Sequence, residues 1–106
     1  MGRRDRRELE SRLRVLLAHL LKWQRQPAHR SASWLATIRE QRKQITRKIR
    51  DLPSLEPVVD EAIAKIYVGA RENAVRESGL PASDFPASCP FTAGDVLSES
   101  FLPQKR

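Results

Sequence analysis

Proline positions divide this chain before any other feature does. Pro27 and Pro53 interrupt the first half once each, while Pro81, Pro86, Pro90 and Pro103 punctuate the last quarter. A proline lacks the N–H and clashes with the preceding turn, so helices have to fit between these points. Three stretches are long enough, and in each the apolar residues recur at steps of three and four. Leu9, Leu13, Leu16, Leu17, Leu20, Leu21 and Trp23 predict one amphipathic helix over Arg3 to Gln24. After a polar connector, Trp34, Ile38, Ile45, Ile49 and Leu52 predict a second over Ser33 to Leu52, with Ser31 or Ser33 as N-cap and polar Gln41 in a gap of the stripe. Leu55, Val58, Val59, Ala62, Ile63, Ile66, Tyr67, Ala70 and Ala74 predict a third over Leu55 to Ser78. Ser54 is its expected cap, Pro57 falls in its first turn, and Gly79 closes it.

Beyond Gly79 the sequence reads as extended. Thr92 to Ser98, with Asp95 completing a capping-box pattern, predicts one or two helical turns. Phe101 and Leu102 are expected to fold back onto the helices. The expected fold is therefore all-α: an antiparallel three-helix bundle with an extended C-terminal tail carrying a short helix, in a single domain over 1–106. Within it lie a basic helical hairpin (1–52), the third helix (54–79) and the proline-rich tail (80–106). A chain of 106 residues buries only about two thirds of its unfolded surface, so association with a partner would help it. The apolar residues of the first helix span an arc of roughly 160°, wide enough to meet two neighbours, and Val15 falls on its polar side.

Charge is distributed as unevenly as proline. The net +7 conceals a first half, residues 1–50, with fifteen Lys and Arg against four acids, and a remainder with five against nine, giving +11 and −4. Such a split suits either a polyanion partner or mutual attraction of the two parts. Arg39, Lys43, Arg47 and Arg50 project within an arc of roughly 80° on the second helix. Joined by Arg14, Lys22 and Arg25 from the first, they form the candidate polyanion-binding set. The plain alternative is a solvated face partly answered by Asp60, Glu61, Glu72 and Glu77.

Several classes of activity are disfavoured by the residues. The longest apolar run, Val15 to Leu21, contains His19 and falls short of the ~20 residues of a membrane span. Asp5, Glu8 and Glu10 spoil a signal-peptide reading of Arg3 and Arg4, and Arg6 stands where myristoylation at Gly2 wants Ser or Thr. Cys89 is the sole cysteine, so no internal disulfide forms and a reducing, cytoplasmic setting is expected. Two histidines and one cysteine do not assemble a standard zinc set. His19 reads as a helix histidine packed beside Trp23, His29 as solvated, and Cys89 as a small apolar side chain without an activating base. Asp60 and Glu61, with Glu56, complement the dipole of the third helix. No phosphate-cradling glycine loop or nucleophile elbow is present. The expectation is a protein that is not an enzyme, with no metal, cofactor, small-molecule substrate or membrane contact.

Taken in order, His19-Leu20-Leu21-Lys22-Trp23-Gln24, Gln26-Pro27, Ser33-Trp34 with Thr37-Ile38, Pro53-Ser54-Leu55, Ala70-Arg71, Gly79-Leu80-Pro81, Cys89-Pro90 with Thr92, and Phe101-Leu102-Pro103 resemble a bacterial family, the domain of unknown function 29. The resemblance runs from end to end of the chain. It implies an all-helical fold and brings no established activity. The family's usual layout adds a helical segment of about forty residues, acidic and apolar, ahead of the equivalent of Met1. Its absence here leads to the expectation of an uncovered apolar strip, with Leu9, Leu13, Val15, Leu17 and Leu21 as the candidate interface. The functional expectation is thus a non-enzymatic binding protein of bacterial or phage origin that docks on a larger protein complex or self-associates, as an adaptor or inhibitor does. The alternative is a nucleic-acid-binding protein that lays a basic helix face on the phosphate backbone.

Overall fold

In the computed structural model, which describes residues 2–104, four α-helices follow one another: α1 (Arg3–Arg25), α2 (Ala32–Asp51), α3 (Val59–Ser78) and α4 (Ala93–Leu97). No strand occurs among the described residues. Short 3-10 turns at Pro27–His29, Pro53–Val58 and Ala82–Asp84 lie between them. The caps explain most boundaries. Ser31 Oγ accepts the Trp34 N–H at 3.1 Å and starts α2. Thr92 and Asp95 exchange side-chain and backbone hydrogen bonds of 3.0 and 3.3 Å, the capping box that starts α4. Gly79, with φ of 75°, ends α3 in the left-handed region that costs glycine nothing.

The head of α3 departs from expectation. Ser54 caps nothing, and Pro53–Val58 winds as a 3-10 turn before the α-helix begins at Val59. Pro57 supplies the reason: it lacks the N–H for an i−4 bond and disfavours α geometry at Glu56.

Ion pairs fix the helix directions. Glu10 meets Lys65 at 3.1 Å and Lys22 meets Glu77 at 2.7 Å, so α1 and α3 run parallel. Asp5 meets Lys48 at 2.9 Å and Arg12 donates to Gln41 at 3.3 Å, so α2 runs antiparallel to α1. α1 packs along both neighbours, as its wide arc requires, whereas α2 and α3 scarcely touch. The tail closes the side left open between them. α4 contacts both α2 and α3, and Phe85, Phe91 and Val96 enter the same core as the leucines of α1.

An extended tail has no ladder for its own carbonyls, and side chains of the helices supply the donors. Arg42 donates to Val96 O at 2.8 Å and to Asp95 O at 3.2 Å. Arg71 donates to Ala82 O at 2.7 Å and Phe85 O at 3.1 Å. Tyr67 donates to Pro86 O at 2.6 Å, and burial pushes its hydroxyl pKa up to about 12. Arg30 bonds Trp23 O and Pro103 O at 2.8 and 3.4 Å.

This closure corrects the expectation of an uncovered strip. Leu9, Leu13, Leu17 and Leu21 have 0 % exposure, and of the five candidate interface residues only Val15 is even half-exposed. The α1 leucines are instead part of one core to which α2, α3 and the tail all contribute.

The α1–α2 junction carries a pH signature. The hydrogen bond from Lys48 holds both Asp5 and Glu8 below the ordinary carboxylate range. A depressed carboxylate contributes stability above its unfolded pKa and loses it as pH falls through the folded value. Thermal stability should therefore decline on acidification below about pH 4. The Lys48→Met variant should show a shallower decline over that window in melts followed by circular dichroism. The effect is modest because solvent screens these groups.

Candidate polyanion-binding groove

Spacings of four, four and three residues put Arg39, Lys43, Arg47 and Arg50 on one face of α2, and all four are exposed. With Arg42, Thr46, Glu99 and Ser100 they line an open groove of about 740 Å³ between α2 and the end of the tail. Among the described residues, none of the four makes an ion pair. The geometry of the bundle accounts for this. α1 packs against the other flank of α2, the one carrying Gln41 and Lys48, and engages its acids Asp5 and Glu8 there. Glu10 and Glu77 are engaged by Lys65 and Lys22. Asp60, Glu61 and Glu72, expected to answer the basic face from α3, are exposed and make no ion pair among the described residues.

The three cations predicted on α1 do not join the ridge. Lys22 is only 6 % exposed, with its Nζ on Glu77 and 5.0 Å above the Trp34 ring, so it is a packing residue and not part of an open basic face. Arg14 lies over α3, so close that a Cβ added at Gly69 would come 3.0 Å from its Nε. Arg25 is half-buried and lines a shallow groove with Ser83, Asp84 and Phe85 of the tail. Helical-wheel reasoning on isolated helices put these residues together, and the packing of α1 on the far flank of α2 separates them.

Arg42 is the groove-lining side chain that sequence reasoning missed. It is 3 % exposed, forms the floor of the groove and bonds the last carbonyls of α4. Burial pushes its pKa down from the usual arginine value. A signal was present: Ile38, Arg42, Ile45 and Ile49 follow steps of four, three and four, so Arg42 occupies an apolar-stripe position. Gln41, which the stripe reading places in that gap, is instead half-buried and accepts from Arg12.

The remaining chemistry-bearing groups sit in quiet settings. His19 Nδ1 lies 2.9 Å from Val15 O, and burial, its largest influence, pushes its pKa down. Cys89 is half-buried, its Sγ is 3.5 Å from Phe91 O, and burial pushes the thiol up, away from the reactive thiolate. Among the described residues, no three His, Cys, Asp or Glu side chains gather as metal ligands. No described helix is long and apolar enough to cross a membrane.

Fold and surface together define a small basic all-helical protein, closed by its own C-terminal tail and marked by a cationic row on α2. The chain belongs to the domain of unknown function DUF29 family, whose model matches residues 1–102. No curated protein and no solved structure matches it.

Proposed function

We propose that this protein is a non-enzymatic binding protein that attaches to nucleic acid through the α2 ridge. The observation carrying this reading is the exposed row of Arg39, Lys43, Arg47 and Arg50, with no carboxylate paired to it among the described residues. Guanidinium and ammonium groups keep their charge at every physiological pH and match phosphate oxygens, which suits a polyanion better than a neutral partner. Docking on a protein complex through the leucines of α1 loses its support, because those leucines form the core.

Fluorescence anisotropy with labelled nucleic acid tests the reading. Four engaged cations predict a salt slope of about −3 to −4 in log K against log salt. Arg39→Ser, Lys43→Ser, Arg47→Ser and Arg50→Ser combined should abolish binding and leave the helical circular dichroism and melting temperature nearly unchanged, since all four side chains are exposed. Binding that survives the fourfold variant, or that ignores salt, overturns the proposal. A preference for an acidic protein over nucleic acid does the same.

A further inference from the structure

The groove has a feature that the ridge alone does not: one wall belongs to the tail and carries a carboxylate. Arg42 grips the Asp95 and Val96 carbonyls, and Glu99 follows three residues after Val96 at the rim, the one acid lining the groove among the described residues. We infer that the groove takes the phosphate backbone of a duplex, and that Glu99 is the residue that limits how tightly the duplex is held. This rests on the nucleic-acid reading above.

The case for a duplex comes from the groove's lining and surroundings. Single-strand binders stack bases on aromatic side chains. Here every aromatic residue is engaged elsewhere. Trp23 lies under the Arg30 guanidinium and Trp34 under the Lys22 ammonium, each at 5.0 Å. Tyr67 and Phe85 are buried, and Phe91 meets Phe101 edge to face at 5.9 Å. None lines the groove, which offers phosphate contacts and no stacking platform. A helix that reads bases enters the major groove, which is about 12 Å wide, and must stand proud of its neighbours to do so. α2 does not: α1 flanks it on one side and the tail on the other. Its cations are left to the backbone, spread along about 16 Å of helix rise from Arg39 to Arg50.

The case for Glu99 is electrostatic. Its carboxylate is exposed, makes no ion pair among the described residues, and shares the groove with the four positive side chains. A phosphate entering the groove meets attraction from α2 and repulsion from the tail. The tail wall thereby keeps the complex loose and exchangeable.

The test compares two short duplexes of unrelated sequence with a single strand of one of them, using the full chain, Glu99→Gln, and Glu72→Gln as a control on the exposed face of α3. The two duplexes should bind equally and more tightly than the single strand. Glu99→Gln should tighten duplex binding by about threefold, the size of one rim charge, while Glu72→Gln leaves it unchanged. A gain in affinity has no explanation in misfolding. Single-strand binding equal to or tighter than duplex binding overturns the inference while sparing the nucleic-acid reading, as does a Glu99→Gln variant that matches Glu72→Gln. Absence of binding to every probe overturns both.

Discussion

Arg42→Met is expected to release the tail and lower stability by about 2 kcal/mol, or about 10 °C in melting temperature for a domain of this size. Two hydrogen bonds from a charged donor to the Val96 and Asp95 carbonyls disappear in that variant, at 2.8 and 3.2 Å in the native chain. Methionine retains much of the packing volume, so the loss reports the bonds and not a cavity. Bonds of this kind contribute about 1.5–3 kcal/mol each, but burying the guanidinium offsets part of the sum, as the depressed pKa of Arg42 shows. Asp95 O keeps the Ser98 N–H at 3.3 Å, but Val96 O, at the end of α4, loses the guanidinium that satisfies it. Hydrogen exchange should therefore quicken through Thr92–Ser98, while the amides of α1 and α3 stay protected relative to global unfolding. If exchange in α4 and the melting temperature both stay at native values, the arginine clamp contributes nothing to tail docking. Nucleic-acid affinity should also change, because the tail wall carrying Glu99 moves with α4.

The helices themselves were legible in the sequence because local rules and tertiary packing agree over them. Ser31, Thr92 and Gly79 act at the boundaries as their side chains or lack of one dictate. The 3.6-residue spacing of the α1 leucines also gave the right number of neighbours. What failed at Ser54 was a contest between two local signals, a capping serine against Pro57, and the proline constraint is the stronger because it removes a donor outright.

The site was legible only where a single helix holds it. Arg39, Lys43, Arg47 and Arg50 share a face by periodicity alone, and the structure leaves that face open. Lys22 was misplaced because its ion pair with Glu77 lies 55 positions along the chain, a pairing that no wheel of α1 displays. Glu99 entered the groove for the same kind of reason. Its position follows from where Arg42 anchors α4, and that anchor became visible only once α2 and the tail were side by side. The tail's share of the core was equally hidden, because its own sequence carries little helical or strand periodicity, yet it folds Phe85, Phe91 and Val96 into the cluster that holds the α1 leucines.

Leu17→Ala distinguishes a buried from an exposed arc most sharply. As a surface residue awaiting a partner, Leu17 would tolerate alanine within about 0.5 kcal/mol. At 0 % exposure in the core shared by α1, α2, α3 and the tail, it should cost about 3 kcal/mol, partly from lost transfer energy and partly from the cavity left behind. For a small domain that is about 15 °C in melting temperature and a large share of a total stability of about 5–15 kcal/mol. If it folds, the variant should keep the oligomeric state of the native chain, and any nucleic-acid affinity measured well below its melting temperature should stay native, because Leu17 does not line the groove. A Leu17→Ala protein with native stability would place the leucine arc back on the surface. Docking through α1 would then regain the support that burial removes.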